Sequence, residues 1–172
     1  VIRKFISEKF YLLIIALVLE LIIIIVLACK RNGCYKFPLN YILLFLFTIC
    51  EAYILLYFCS GYEWKLVITA MGLCAMVTFG VTLYACITKS DFTFCGGILC
   101  MMLFLFIFYG LFGLWFNKWL YSLYCSLGVL IYGFYLVYDI QLLKGDKFLK
   151  YQEDDYIIAA LNIYLDIVRI FL

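Results

Sequence analysis

The sequence predicts an all-α, polytopic membrane protein in which a single bundle of helices crosses the bilayer several times. Of its 172 residues, 69% are hydrophobic and only 14% are charged, and the mean hydropathy is +1.15. A soluble domain is about half apolar and about a quarter charged. The apolar residues also fall into runs of about 20, which is the length of helix that crosses the hydrocarbon core.

Six such runs are visible, and short segments that hold most of the charged side chains separate them. A basic N-terminal segment, residues 1–9, precedes a single transmembrane bundle over residues 10–172. The predicted spans are Phe10–Cys29, Leu39–Cys59, Leu66–Ile87, Phe94–Leu114, Trp119–Leu143 and Tyr156–Leu172. Pro38 is well placed to open the second helix, and Asp154 or Asp155 is a plausible N-cap for the sixth.

The last run, YIIAALNIYLDIVRIFL, is apolar but contains Asn162, Asp166 and Arg169. A carboxylate at bilayer depth costs about 2.5–3.5 kcal/mol even on the lenient insertion scale. Asp166 is therefore expected to face other helices or water instead of lipid. We predict that this helix lies at the centre of the bundle and that the other helices surround it.

The composition disfavours several classes of function. The chain has nine cysteines but no histidine, and no two cysteines form a CxxC pair. Most of the cysteines lie in apolar runs, where a free thiol behaves as a small hydrophobe. Zinc sites and catalysis by Ser/His or Cys/His pairs therefore lose their main support. A net charge of +2 gives no reason to expect nucleic acid as a partner.

Basic side chains predict the orientation in the membrane. They are frequent after the first, third and fifth spans (Lys30, Arg31, Lys36, Lys89, Lys144, Lys147 and Lys150) and rare after the second and fourth (Lys65 and Lys118). The positive-inside rule places the first group in the cytoplasm. Six spans would then leave Arg3, Lys4 and Lys9 on the opposite side, where they are disfavoured. We therefore expect the chain to be a fragment that lacks one span.

Four acids lie at membrane depth: Glu20, Glu51, Asp139 and Asp166. Each can be a carboxyl group hydrogen-bonded within the bundle or a functional group. Asp139 and Asp166 lie on consecutive helices, about 6 Å and about 15 Å from the ends that one cytoplasmic segment joins, so a staggered hairpin would bring them together. Two carboxyl groups in contact would form a proton-sensitive latch or an oxygen site for calcium. An ion pair between Asp166 and Arg169, three residues further on, is a competing role.

Four stretches carry a resemblance to a known family. YKFPLNYILLFLFTICEA, VTFGVTLYACITKSDFTFCGG, YGFYLVYDIQLL and EDDYIIAALNIYLDIVRIFL resemble, in order and spacing, the transmembrane Bax inhibitor motif family, most of all its lifeguard and Golgi anti-apoptotic branches. The resemblance covers nearly all of residues 29–172. By this comparison the first of the family's seven helices is missing, and Phe10–Cys29 matches the second.

The resemblance implies a multi-pass protein of the endoplasmic reticulum or Golgi that lets calcium leak from the store in a pH-dependent way and restrains apoptosis. It implies that Asp139 and Asp166 form the pH-sensing pair on the ion pathway, where they would bind calcium transiently. Glu51 matches an acid of the family's third helix. Bacterial members latch the pair with an arginine of the second helix, whereas the matching helix here holds Glu20 and no basic residue.

Two other functions remain open from the sequence. The chain could be a non-conducting membrane adaptor that binds apoptosis-regulating membrane proteins, with structural acids. It could also be an intramembrane hydrolase that uses the two aspartates, although nothing else in the sequence resembles one. We expect a channel and not an enzyme, with lipid and calcium as its partners and no cofactor beyond calcium as the transported ion.

Overall fold

The computed structural model describes residues 10–29, 38–111, 117–145, 151 and 156–172. All regular structure within these ranges is helical, as the composition predicts. The six helices of the described residues are α1 (Phe10–Cys29), α2 (Leu39–Ser60), α3 (Trp64–Ile87), α4 (Gly96–Leu111), α5 (Lys118–Lys144) and α6 (Tyr156–Phe171), and a 3₁₀ turn, Thr93–Cys95, leads into α4.

The predicted runs and the observed helices agree within two residues wherever both ends are described. Pro38 directly precedes α2 and accepts a hydrogen bond from the Ile42 amide at 3.3 Å, a position where its missing N–H costs nothing. α5 ends at Gly145, whose φ of 71° is left-handed and whose N–H reaches the Gln141 carbonyl, as is common at helix C-termini. The basic segment 1–9 and the predicted caps Asp154 and Asp155 lie outside the described residues.

Five helical segments are long and apolar enough to cross a membrane: α1, α2, α3, α4 with its 3₁₀ turn, and α5. The protein is therefore a multi-pass membrane protein. α6 is shorter, with 16 residues, or about 24 Å at 1.5 Å per residue, against about 30 Å for the hydrocarbon core. A sixth crossing by α6 stays a prediction.

The chain divides into two compact units. The first unit comprises residues 1–71 and 153–161 together with Leu172, and the second comprises residues 72–152 and 162–171. In the first unit α1 packs against α2 through a small apolar core, Leu13, Ala16, Cys50 and Ile54, with Tyr53 and Tyr57 beside it. α6 contributes its first residues to this unit and the rest to the other. The single bundle over residues 10–172 and the central place of the last helix stay predictions.

The core of the second unit joins the second half of α3 to α5 and α6. Its buried members are Cys74, Ala85, Leu136, Val137, Ile140 and Ile170. The Cys74 thiol donates a hydrogen bond to the Ile167 carbonyl at 3.5 Å, which ties α3 to α6. Seven cysteines whose side chains the structure describes carry free thiols: Cys50, Cys59, Cys74, Cys86, Cys95, Cys100 and Cys125.

Close packing of helices occurs at Gly96, Gly110 and Gly128 of α4 and α5, whereas the glycines of α3 are open. A Cβ added to Gly72 or Gly80 would meet no described atom within 4 Å, but one added to Gly96 would lie 2.8 Å from the Tyr138 hydroxyl. The third span is rich in small residues (Ala70, Gly72, Ala75, Gly80 and Ala85), which allow helices to approach closely, but of these only Ala85 is buried. Gly96 begins α4 and brings it against α5.

Candidate functional site

The hairpin of α5 and α6 is staggered so that Asp139 and Asp166 meet. Asp139 lies five residues before the end of α5, and Asp166 lies ten residues after the start of α6. At 1.5 Å per residue these positions are about 8 Å and about 15 Å from the helix ends. If the two helices are offset along their axes by about five residues, both carboxyl groups lie at the same depth in the bundle. This is the staggered hairpin that the sequence predicts for contact between Asp139 and Asp166.

The two carboxyl groups lie within hydrogen-bonding reach of one another. Both residues are buried, with 5% of Asp139 and 7% of Asp166 exposed. A hydrogen bond between two carboxyl groups needs a proton on one of them, because an ionised carboxylate can only accept. Two buried carboxyl groups this close to one another are stable when they share one proton. That Asp139 and Asp166 form a pH-sensing pair on an ion pathway stays a prediction.

Two further side chains extend this pair into a short chain of hydrogen bonds. The Tyr151 hydroxyl donates to Asp139 Oδ1 at 3.1 Å, and the Asn162 amide nitrogen donates to the Tyr151 hydroxyl at 2.9 Å. Asn162 lies four residues before Asp166 on α6 and so shares a face with it. Burial and then the neighbouring Asp139 raise the pKa of Tyr151 above its ordinary value of 10.0, which keeps the phenol protonated and able to donate.

One oxygen of the Asp166 carboxyl group receives no hydrogen bond from the rest of the site. Its Oδ2 is fully buried and has no hydrogen-bond partner among the described residues. A buried acceptor without a partner costs about 1–3 kcal/mol. Such groups in native proteins commonly mark a place where water or an ion binds, or where the conformation changes.

A second buried polar group lies near the same end of α5. Gln141 accepts a hydrogen bond from the Phe92 amide at 2.9 Å and donates one to the Ser90 carbonyl at 3.0 Å. Lys144, one turn further, donates to the Cys86 carbonyl at 3.2 Å. These three bonds fix the last turn of α3 and the segment that follows it to the last turns of α5, and Gln141 lies two residues from Asp139.

The other predicted acids lie in the first unit. Glu20 on α1 is 3% exposed and Glu51 on α2 is 0% exposed. Neither carboxyl oxygen of Glu51 has a hydrogen-bond partner among the described residues. Their supporting role in ion movement stays a prediction, as does the ion pair between Asp166 and Arg169.

The described residues contain no group of three or more histidine, cysteine, aspartate or glutamate side chains that could hold a metal ion. Calcium takes six to eight oxygen ligands, so Asp139 and Asp166 supply only part of a coordination shell. The predicted binding of calcium by this pair stays a prediction, and it concerns an ion in transit.

The sequence predicts the two aspartates as site residues but gives no such role to Tyr151, Asn162 or Gln141. Tyr151 lies in a charged segment where an aromatic side chain is typical of a membrane interface. Gln141 lies in the last turn of a helix, where polar residues are common and do not indicate a site. Asn162 carried a usable signal, because its spacing of four residues from Asp166 puts both polar groups on one helix face.

The fold and the site define a multi-pass helical membrane protein with two aspartates paired between consecutive helices. Comparison with known proteins assigns it further. Residues 2–172 match the family model described as "Inhibitor of apoptosis-promoting Bax1", Bax1-I. The chain belongs to this family, as the resemblance in the sequence predicted.

Relatives among known proteins agree with this assignment. The chain is 38% identical over 152 residues to protein lifeguard 3 of Homo sapiens, a match that covers 86% of the chain and 49% of the relative. It is 32% identical over 173 residues to lifeguard 3 of Mus musculus, covering 98% and 56% respectively. It is 30% identical over 177 residues to lifeguard 4 of Mus musculus, covering 99% and 69%. The chain spans about half the length of the lifeguard 3 proteins that it matches.

Proposed function

We propose that this protein is a pH-sensitive calcium leak channel in the membrane of an intracellular store, the endoplasmic reticulum or Golgi, and that the leak restrains apoptosis. The observation that carries the proposal is that Asp139 and Asp166 are both buried with their carboxyl groups within hydrogen-bonding reach of one another. The anti-apoptotic description of the family supports the second part. The proposed protein is a channel and not an enzyme.

The aspartate pair would work as a latch between α5 and α6. With one shared proton the two carboxyl groups attract each other and the helices stay together. If that proton is lost, two negative charges about 4 Å apart repel by about 4 kcal/mol at the effective dielectric constant of a protein. A change of this size shifts a two-state equilibrium by about a thousandfold, which is enough to separate the helices.

The open pair would then attract the transported ion. Two ionised carboxylates, with the unpaired Oδ2 of Asp166 among their oxygens, are the hard ligands that calcium prefers. An incomplete shell binds an ion weakly enough to release it, which conduction requires. The pathway thus uses the same two side chains to hold the gate shut and to draw the cation through it.

The test is calcium efflux from liposomes that contain the purified chain, from about pH 5 to about pH 8, for wild type, Asp139→Asn and Asp166→Asn. We expect a pH-dependent leak that either substitution changes by about tenfold or more at some pH in this range. The raised pKa of Tyr151 keeps its phenol protonated throughout, so the pH dependence would come from other groups. Glu63→Gln, at an exposed acid in the turn before α3, is the matched control and should behave as wild type.

A wild-type chain that retains its helical circular dichroism but leaks no faster than empty liposomes would contradict the channel. The alternative, a non-conducting adaptor that binds apoptosis-regulating membrane proteins, would then be favoured. On that alternative the aspartate substitutions would lower stability or expression and leave no flux to alter.

A further inference from the structure

Tyr151 is held at three points next to the aspartate pair. Its backbone N–H donates to the Leu142 carbonyl near the end of α5 at 3.2 Å. Its hydroxyl donates to Asp139 Oδ1 at 3.1 Å and accepts from the Asn162 amide at 2.9 Å. All these atoms belong to the second unit. The backbone bond fixes where the ring begins, and the two side-chain bonds fix where its hydroxyl points.

The direction of these hydrogen bonds matters for the pair. A phenol carries one proton, and the side-chain amide nitrogen of Asn162 can only donate. The Tyr151 oxygen must therefore act as acceptor toward Asn162, which leaves its single proton for Asp139. An acceptor that already receives a hydrogen bond is better stabilised as a carboxylate. Asp139 is thus favoured as the acceptor within the pair, and Asp166 as the group that carries the shared proton.

We propose that Tyr151, oriented by Asn162, is a positioning residue of the aspartate pair, which holds the Asp139 carboxyl group toward Asp166 and assigns the shared proton to Asp166. Its importance for gating depends on the proposed function, but its effect on the carboxyl pair does not. The arrangement makes the pair asymmetric although its two members are chemically the same. It also links the aspartate pair to Tyr151, a residue of the segment between α5 and α6.

Infrared spectroscopy of the purified chain tests this inference without any flux, because a protonated carboxyl group has its own C=O stretching band. The band of the shared proton is identified by its loss in Asp166→Asn. We expect Tyr151→Phe to shift or remove this band, because Asp139 loses a donor and attracts the shared proton more strongly. Asn162→Leu, which is close in size, should move the band in the same direction by a smaller amount.

The double variant Tyr151→Phe with Asn162→Leu separates positioning from a general structural role. If Asn162 acts through Tyr151, the double variant shifts the band no further than Tyr151→Phe alone. Tyr62→Phe removes a hydroxyl from an exposed tyrosine and should leave the band in place. A band that does not move in Tyr151→Phe, or shifts that add in the double variant, would overturn the inference. If Tyr151→Phe does not fold, an unmoved band in Asn162→Leu would overturn it equally.

Calcium efflux then distinguishes the two proposals. If the channel exists, Tyr151→Phe should change the leak several-fold at fixed pH and calcium concentration, and Tyr62→Phe should not. A wild-type chain without a leak would defeat the proposed function and leave the infrared result valid. A normal leak combined with an unmoved band in Tyr151→Phe would defeat the positioning role alone.

Discussion

At the scale of single residues, Gln141 is a buried side chain that replaces missing backbone hydrogen bonds. It is 0% exposed, and both ends of its amide are used, one by the Phe92 N–H and the other by the Ser90 carbonyl. The segment between α3 and α4 cannot satisfy these groups within a helix. The Gln141 side chain of α5 satisfies them instead. Its two hydrogen bonds hold the backbone directly before the 3₁₀ turn, which begins at Thr93.

We expect Gln141→Leu to destabilise the protein by about 2–4 kcal/mol, because it leaves two partly buried backbone groups without partners. The measurement is thermal unfolding in detergent, followed by circular dichroism. Ser126→Ala on the same helix is the control, since Ser126 is exposed and bonds only to its own helix. Equal melting temperatures for Gln141→Leu and Ser126→Ala would show that the Gln141 amide does not hold this segment.

The residues of the site differ in how far the sequence could predict them. An acid inside an apolar run is conspicuous because its burial is costly, so Asp139 and Asp166 could be named and even paired from helix geometry. Tyr151 and Gln141 lie at positions where polar and aromatic side chains are ordinary. Their roles depend on which backbone groups approach them in three dimensions, and no sequence period encodes that approach.

At the scale of helices, α4 and α5 pack closely because a glycine on each helix lies against an aromatic ring of the other. The Gly110 Cα faces the Tyr124 ring, and a Cβ added to Gly128 would lie 2.9 Å from Phe106 Cζ. The rings of Phe106 and Tyr124 are stacked, with centroids 4.2 Å apart and planes within 2° of parallel. Each helix therefore supplies both a ring and the space for the other helix's ring.

We expect Gly128→Ala to lower stability by about 1–3 kcal/mol, because the added methyl group must displace the Phe106 ring and its stacked neighbour. Gly133→Ala on the same helix is a close control, since no described atom lies within 4 Å of a Cβ added there. That control should be neutral or stabilising by up to about 1 kcal/mol from helix propensity. Unfolding of both variants in the same detergent gives the comparison, and equal stabilities would contradict the tight contact.

Helix positions were predictable because each hydrophobic run ends where polar residues, proline or glycine interrupt it. The contacts between those helices were harder to predict from the sequence. The third span is rich in small residues, which allow close packing, but Gly72 and Gly80 are open, whereas close contact occurs at Gly110 and Gly128. Composition indicates where helices can approach, but the shape of the facing side chains decides where they do.

At the scale of the whole molecule, the placement of basic residues predicts which loops face the cytoplasm. α3 separates two described connections, the turn that contains Glu63 and the segment that contains Ser90. Lys89 follows α3, and the basic side chains after the first and fifth spans lie on the same side of the membrane. The Ser90 side is therefore predicted to be cytoplasmic. The Glu63 side would face the lumen.

We expect a cysteine at position 90 to react with a membrane-impermeant maleimide added to the cytoplasmic side of sealed microsomes, and a cysteine at position 63 to react only after permeabilisation. Ser90→Cys and Glu63→Cys are made in a background that lacks the nine native cysteines. The physical reason is that charged side chains retained on the cytoplasmic side fix the orientation of α3. The reverse labelling pattern would show that the orientation is inverted.

Membrane class and family could be predicted from the sequence because both depend on patterns along the chain. The division into two compact units could not. It depends on which helices share side-chain contacts, and a helix such as α6, whose residues belong to both units, carries no mark of that division in its composition.

The polar residues of α6 also bear on how the protein is made. Asp166 and Arg169 would each cost about 2.5–3.5 kcal/mol at the centre of a lipid-facing helix, so α6 is a poor candidate for release into lipid by itself during synthesis. α5 leaves the ribosome earlier and already carries Asp139, whose carboxyl group lies within hydrogen-bonding reach of Asp166 in the folded protein. When α6 reaches the insertion machinery, α5 has therefore already been synthesised and can supply Asp139 as a partner for Asp166. We expect α5 and α6 to enter the membrane as a pair.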